Sequence, residues 1–208
     1  IRGQSQQTMV RYRTIGDVMY IQLKSFNGNA VEKFQEAMDA VESQGCTGIV
    51  LDLRDNGGGD LSILEKIGNM ILPEGVIIYA QDRHGNRISE INSSGADMDL
   101  PMVILTNSNT ASASEALAGA ARDRGTAVLV GTKTFGKGIM QTTYTLDNEG
   151  AFKLTTAKYY LPSGECIHEI GLTPEYEVAL PDGQESRTYY MTDQEDTQLQ
   201  KALEILGQ

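Results

Sequence analysis

NSNTASASEALAGAARDRGTAVLVGTKTFGKGIMQ, from Asn107 to Gln141, is the stretch around which the rest of the chain is arranged. It follows the apolar run Val103–Leu105 and opens with small polar residues, after which a helix-favouring run begins at Ala111. The segment Ala127–Val130 predicts a buried strand, and a glycine-rich loop follows it. The stretch therefore predicts one loop that leads into a helix and one that leaves a strand.

Ser112 lies at the predicted helix entrance. Ser112 and Glu115 form the pattern S-x-x-E, in which the hydroxyl accepts a backbone N–H and the carboxylate bonds back to the N–H of the serine. Capping is a sufficient structural explanation for this pair taken alone. Lys137 and Gln141 add a second possibility, because residues four apart point the same way in a helix and in a strand. Gln141 is therefore expected to hold the amine of Lys137.

A serine and a lysine in neighbouring loops are typical of nucleophilic catalysis. A serine hydroxyl is a weak nucleophile at neutral pH and needs a base, and a lysine serves as that base only when it is uncharged. Burial favours the uncharged form. Glycines and Phe135 flank Lys137 between two apolar strands, so we expect its amine to be buried.

The same loop suggests a competing interpretation as a nucleotide site. Gly131 to Lys137 reads G-x-x-x-x-G-K directly after a strand, which is close to a phosphate-binding loop. However, Gly138 stands where a serine or threonine should hold magnesium. The segment that follows, IMQTTYTL, alternates like a strand where a helix should begin. The pattern therefore argues against nucleotide binding.

The chain before this stretch predicts a crossover unit. A strand at Val18–Leu23, an amphipathic helix from Ala30 to about Gln44 and an apolar strand at Gly48–Leu53 follow one another, so the two strands should pair in parallel. Further predicted elements are a helix at Asp60–Ile71, a hairpin at Val76–Asp82 and Arg87–Ile91, a strand at Met102–Leu105, a hairpin at Ile139–Leu146 and Ala151–Leu161 around a turn at 147–150, and a helix at Asp193–Leu206. We expect a lead-in segment at 1–16, a core domain at 17–181 and a C-terminal helical segment at 182–208 that packs on or beside the core.

The strand at Gly48–Leu53 ends in LDLRDNGGGD, which contains three successive glycines before a predicted helix. Glycines let the backbone take positive φ and approach a ligand, and amides at such a turn suit an anion. Aspartates crowd the segment, so a small oxyanion fits better than a phosphate. Asp52 and Arg54 share a face and are expected to pair with each other or with Glu115.

The charge and composition of the chain limit the kinds of molecule that it is expected to bind. The net charge of −11 and the pI near 4.6 argue against nucleic acid or an anionic membrane. No apolar run approaches the length of a membrane span. Cys46 and Cys166 are too few and too far apart for a disulfide framework or a zinc site, and we expect neither a metal nor a cofactor. Because the chain opens on Ile1, we interpret it as a fragment or a processed form.

Four motifs in order resemble the tail-specific, carboxyl-terminal processing proteases, a serine peptidase family with a Ser-Lys dyad. The motifs are LDLRDNGGG, TASASEALAGA, VGTKTFGKGIMQ and LPSGECIHEIGLTPEYEV, and the similarity runs from Ile15 to Val178. The resemblance implies Ser112 as nucleophile, Lys137 as base and Gln141 as the residue that orients the lysine. It assigns supporting roles to Asp52, Arg54 and Glu115, and it implies an oxyanion hole from the amides of Gly58 and Ala113.

The resemblance also implies an α/β fold with a ClpP/crotonase-like core, in which a mixed sheet carries flanking helices and β-hairpins. It implies an extracytoplasmic location, a protein or peptide substrate with a flexible C-terminal tail, a PDZ domain in the full-length protein, and possible oligomers. The loop here reads D-N-G-G-G, without the proline that many members carry, and we expect that change to loosen it. Three alternatives stay open: a tail-binding module without catalysis, a nucleotide-binding protein, and a competing catalytic pair of Ser112 with His168.

Overall fold

Two β-sheets and four helices make up the part of the chain that the structure, a computed structural model, describes: residues 8–96, 98–146, 150–181, 183–184 and 191–208. The elements in order are β1 (Val10–Ile15), β2 (Val18–Leu23), α1 (Ala30–Ser43), β3 (Gly48–Asp52), α2 (Leu61–Ile71), β4 (Gly75–Gln81), β5 (Arg87–Ser93), β6 (Met102–Thr106), α3 (Ala113–Asp123), β7 (Ala127–Gly131), β8 (Ile139–Thr145), β9 (Ala151–Tyr160), β10 (Tyr176–Glu177) and α4 (Thr197–Ile205). Within these described ranges, none of the helices has both the length and the apolarity needed to traverse a bilayer.

The larger sheet has the strand order β1-β2-β3-β6-β7-β10. Strands β2, β3, β6, β7 and β10 pair in parallel, and β1 runs antiparallel to β2. The predicted crossover from β2 through α1 to β3 is confirmed, since Val18 pairs with Gly48 and Gln22 with Asp52 in parallel register. This mixed sheet with flanking helices confirms the predicted α/β class. Because β3 and β6 are neighbours, the loops that follow them meet at one edge of the sheet.

Alternate residues of the parallel strands enter two separate apolar layers. On β3, Ile49 and Leu51 pack with helices α1, α2 and α3, whereas Val50 packs with α4 on the opposite face. The central strands are therefore covered on both faces, which is why they read as continuous apolar runs in the sequence. The layer under α4 is the smaller one and includes Leu199 and Leu203.

The second sheet has the order β5-β4-β9-β8 and contains both predicted hairpins. Strands β4 and β5 pair antiparallel, as do β8 and β9, so the two hairpins are confirmed. Antiparallel pairing of β4 with β9 joins them into one sheet, an arrangement that the sequence did not indicate. Of the predicted turn at 147–150, residues 147–149 lie outside the described residues.

The expectation that residues 1–16 form only a lead-in is wrong for their second half. Strand β1 pairs with β2 along its whole length, and Val10 is buried in the larger apolar layer. The strand lies at the edge of the sheet, and its middle residues are exposed. It therefore lacks the apolar alternation by which strands are recognised. At the other end of the chain, the predicted helix from Asp193 begins only at Thr197, because the side chain of Asp196 caps it by accepting the N–H of Leu199.

Candidate active site

Ser112 occupies the junction between the loop after β6 and helix α3. It has φ +59° and ψ −118°, a backbone conformation that is costly for a residue with a side chain. Its carbonyl accepts the first helical hydrogen bond, from Ala116 N–H at 2.9 Å, and its side chain is half-buried. The helix thus begins immediately after the serine, as predicted, and the strained turn presents Ser112 at the positive end of the helix dipole.

The glycine loop after β3 lies directly against Ser112. A Cβ built on Gly58 would stand 2.8 Å from the carbonyl oxygen of Ala111 and 2.9 Å from both Ser112 Cβ and the nitrogen of Ala113. Gly58 also has φ +95°, so only glycine is accommodated there. The two predicted oxyanion donors, the amides of Gly58 and Ala113, are therefore brought together beside the serine.

Asn56 fixes the conformation of the glycine loop. The residue is fully buried, its side-chain amide donates to the carbonyl of Leu23 at 2.8 Å, and its side-chain oxygen accepts the N–H of Gly58 at 2.9 Å. Its backbone carbonyl accepts the N–H of Ala111 at 3.0 Å. Sequence reasoning did not select Asn56. Only its position before three glycines could have indicated such a role.

The buried carboxylate of Glu115 joins the two loops that carry the candidate dyad. One oxygen, Oε2, accepts the backbone N–H of Ser112 and that of Lys137, each at 2.9 Å. The other oxygen accepts the hydroxyl of Thr134 at 2.6 Å and the N–H of Gly136 at 2.7 Å. The carboxylate reaches back to the serine N–H as the S-x-x-E pattern predicts. It also holds the backbones of Ser112 and Lys137 on one shared atom, which the sequence did not show.

The loop that carries Lys137 is packed tightly through its backbone. A Cβ on Gly136 would lie 2.9 Å from the nitrogen of Gly171, and one on Gly138 would lie 2.8 Å from that of His168. The side chain of Lys137, however, is exposed, so the expectation of a buried amine is wrong for this structure. Burial alternates along the loop: Thr134, Gly136 and Gly138 are buried, whereas Phe135 beside the lysine is itself 64% exposed.

Two further candidates lie near this loop. Gln141 is exposed on β8, opposite Thr155 of β9, and within the described residues no hydrogen bond joins its side chain to that of Lys137. His168 is half-buried, and its Nδ1 is a buried atom that finds no hydrogen-bond partner among the residues described. The segment after Lys137 continues as strand β8. A phosphate-binding loop leads into a helix, so this strand disfavours the nucleotide alternative.

Asp52 and Arg54 pair with each other, and the further partners of Arg54 lie at the start of α4 and not at Glu115. The Arg54 guanidinium contacts Asp52 at 2.7 Å and Asp196 at 2.8 Å, and it donates to Gln198 at 2.9 Å. Burial alone would lower the pKa of Arg54, but the two neighbouring carboxylates raise it well above its ordinary value. This cluster therefore attaches helix α4 to the end of β3, shortly before the glycine loop in the sequence.

Tyr20 completes the same cluster. Its hydroxyl lies 2.6 Å from a carboxylate oxygen of Asp52. Burial and then the charge of Asp52 raise the pKa of Tyr20 above its ordinary value, so the phenol is protonated and donates this hydrogen bond.

Comparisons with known proteins place the chain in a family. The family model described as peptidase family S41 matches residues 17–178. The carboxyl-terminal-processing protease of Synechocystis sp. is 40% identical over 189 residues, which cover 91% of this chain and 44% of that protein. The carboxy-terminal processing protease CtpA of Bacillus subtilis is 34% identical over 163 residues, covering 78% of this chain and 35% of that protein. This chain thus spans less than half the length of these curated relatives.

Solved structures also superpose on this chain. The photosystem II D1 C-terminal processing protease superposes with a TM-score of 0.78 and 31% identity, over 84% of this chain and 50% of that chain. Mature CPAF superposes with a TM-score of 0.67 over 95% of this chain and 52% of that chain; at 12% identity, this likeness concerns the fold alone.

Proposed function

The chain belongs to peptidase family S41, and from this premise we propose that it is a serine endopeptidase that cleaves C-terminal or unstructured segments of proteins by a Ser112–Lys137 dyad. The observation that carries the proposal is the sharing of one Glu115 oxygen by the backbone amides of Ser112 and Lys137. Because the backbone nitrogens of Ser112 and Lys137 both lie 2.9 Å from Glu115 Oε2, the side chains of these two residues begin close enough to contact each other.

The proposed reaction has two halves. Ser112 Oγ attacks the peptide carbonyl carbon while Lys137 Nζ takes the hydroxyl proton. Lys137 then gives this proton to the leaving amine nitrogen as the C–N bond breaks, which leaves an acyl-serine ester. Water then attacks the ester carbonyl carbon while Lys137 Nζ accepts a proton from it. Lys137 returns this proton to Ser112 Oγ as the ester C–O bond breaks, so the carboxylic acid product leaves and Ser112 is regenerated. Gln141 orients the lysine in this scheme. The proposal requires neither histidine, metal nor cofactor.

Stabilisation of the oxyanion is assigned to the amides of Gly58 and Ala113. Ala113 is the first residue of α3, so its N–H has no partner within the helix and points out of the helix end. Gly58 lies beside it, at contact distance from Ser112. One such donor contributes about 3 kcal/mol to the transition state.

Lys137 becomes a competent base when a substrate covers it. A solvated ammonium cannot accept a proton, whereas removal of water favours the neutral amine. The edge of β8 begins two residues after Lys137, and β8 is the outer strand of its sheet. An extended substrate that adds to this edge by main-chain hydrogen bonds would lie over the lysine, with loose sequence preference.

Cleavage of an unstructured protein by matched variants tests the dyad. We expect Ser112→Ala and Lys137→Ala to abolish turnover. Ser108→Ala and Lys133→Ala, which alter exposed residues of the same two loops, should retain it. Substantial turnover by Lys137→Ala would favour the pair of Ser112 with His168. Equal rates for Ser112→Ala and the unmodified chain would remove the dyad altogether.

A tail-binding module without catalysis is the second candidate. Two observations favour it: the side chain of Lys137 is exposed, and the N–H of Gly58 already donates to the side chain of Asn56 and not to a substrate oxygen. Binding and cleavage of a fluorescent peptide tail, followed in one sample, separate the two. Binding without cleavage from pH 6 to pH 10 would favour the module.

The cellular setting is also a proposal. We place the protein outside the cytoplasm, with a PDZ domain in the full-length chain that captures substrate tails, and with oligomers possible. Relatives from Tetradesmus obliquus and Arabidopsis thaliana are named as chloroplastic peptidases, which supports an organellar or extracytoplasmic setting. Fractionation of cells that express the full-length protein tests the location, and recovery in the cytosol would contradict it.

A further inference from the structure

Asn56 controls one oxyanion donor of the proposed site. We infer that its side-chain oxygen holds the N–H of Gly58 in the unliganded protein and releases it, by a flip of the Gly57–Gly58 peptide unit, when the tetrahedral oxyanion forms. This inference rests on the proposed function. It makes Asn56 a positioning residue, because it acts on the reacting atoms only through Gly58.

The peptide unit between Gly57 and Gly58 lies between two anchored units. On one side, the carbonyl of Asn56 accepts the N–H of Ala111 at 3.0 Å. On the other side, the carbonyl of Gly58 accepts the N–H of Phe26 at 3.0 Å and the hydroxyl of Ser25 at 3.1 Å. Both flanking peptide planes are thus fixed. The N–H of the unit between them is held by the side chain of Asn56 at 2.9 Å.

Rotation of this one unit changes only the ψ of Gly57 and the φ of Gly58. Glycine populates positive and negative φ about equally, so leaving its φ of +95° carries no intrinsic backbone penalty for Gly58. Gly57 is exposed, and a Cβ built on it would meet nothing within 4 Å, so the space around the unit is open. The flip therefore keeps both flanking peptide units in place, and it turns the carbonyl oxygen of Gly57 towards the side-chain oxygen of Asn56. The hydrogen bond to the oxyanion has to outweigh that repulsion.

The chemistry of the two acceptors decides when the flip occurs. The side-chain oxygen of Asn56 is neutral, as is the carbonyl oxygen of a bound substrate, so an uncleaved peptide gains little by competing for the N–H. The oxyanion is charged, and a hydrogen bond to a charged acceptor is roughly twice as strong as a neutral one. Gly58 would then donate to the transition state and not to the bound substrate, which is the condition for an effect on kcat without one on KM.

A tetrahedral adduct of the 208-residue chain tests the inference directly. The probe is a peptidyl boronic acid, and the measurement is a crystal structure of the chain with boron bonded to Ser112 Oγ. We expect the nitrogen of Gly58 within hydrogen-bond distance of a boronate oxygen and no longer on the side chain of Asn56. An adduct in which Gly58 still donates to Asn56 would overturn the inference and leave the proposed function standing. Absence of a bond between boron and Ser112 would overturn both.

Kinetics of Asn56→Ala give a second readout, with Asn109→Ala, an exposed asparagine of the adjacent loop, as control. Without the competing acceptor, kcat should rise about fivefold, the factor that corresponds to one neutral hydrogen bond, with KM unchanged. A fall in kcat, or a parallel change in kcat and KM, would show a purely structural role and contradict the inference. Should the variant fail to fold, the adduct of the unmodified chain still decides.

Discussion

Glu115→Gln isolates the contribution of a single charge to the assembly of the site. The carboxylate accepts four hydrogen bonds in a fully buried position, two on each oxygen. Glutamine has the same shape but replaces one oxygen with an NH2 group. If that group turns towards the Thr134 side, the hydroxyl of Thr134 can rotate to accept, but the N–H of Gly136 then faces another donor.

The expected loss is about 3 kcal/mol. An unpaired buried donor costs about 1–3 kcal/mol, and the remaining bonds weaken because their acceptor loses its charge. For a chain of this size, that loss lowers the melting temperature by about 6–12 °C. Turnover should fall as well, because the backbones of Ser112 and Lys137 lose their shared charged anchor.

Urea and thermal unfolding of the purified variant measure this loss, with Glu65→Gln as the matched control. Glu65 is exposed on α2, so the same substitution there should change the free energy of unfolding by less than about 0.5 kcal/mol. A Glu115→Gln variant as stable as this control would refute the reasoning, since it would mean that water or local rearrangement supplies the missing acceptor.

Other buried groups make separate predictions. Arg54→Met removes the cation between two buried carboxylates and should cost about 3–5 kcal/mol in urea unfolding; a loss below about 1 kcal/mol would mean that solvent screens them. Gly58→Ala forces a Cβ to 2.9 Å from Ser112 Cβ and should lower the melting temperature, whereas Gly57→Ala, whose Cβ meets nothing, should not. The raised pKa of Tyr20 stabilises the fold fully below about pH 10, and this stability is lost as pH rises further. The free energy of unfolding should therefore fall with pH more steeply in the unmodified chain than in Tyr20→Phe, by up to about 1.4 kcal/mol per pH unit, and equal slopes would count against the assignment.

Helices and strands were predicted correctly where the local sequence pattern matches the burial that the fold gives those residues. Helix α1 has an apolar stripe and begins at Ala30 as expected, and β2 occupies the predicted Val18–Leu23. Strand β1 was missed because an edge strand needs few apolar residues, and its hydrogen bonds to β2 carry no sequence signal. The pairing of β4 with β9 was missed for a related reason: it joins segments that are distant in sequence through backbone atoms.

At the candidate site, the spacing of motifs identified residues but not their partners. Glu115 was selected for its position relative to Ser112, and the capping contact exists, yet three of its four hydrogen bonds go to the loop of Lys137. Arg54 was expected near Glu115 or Asp52, and its further partners come from a helix more than 140 residues later. Flanking glycines and Phe135 predicted burial of Lys137, but the structure buries Gly136 and Gly138 and exposes the lysine between them. Neighbours in sequence do not determine which side chains of a loop face the solvent.

The buried hydrogen bonds at this site fix the backbone of Lys137 while its amine remains exposed at the end of four methylene groups. Ordering such a side chain costs up to about 2 kcal/mol of rotamer entropy, and desolvating its charge costs more. Under the proposed dyad mechanism, these costs therefore fall on the complex with substrate or on a partner that covers the loop. Binding energy from substrate residues remote from the cleaved bond would then be used to order and neutralise Lys137, and truncating the substrate should lower kcat as well as raise KM.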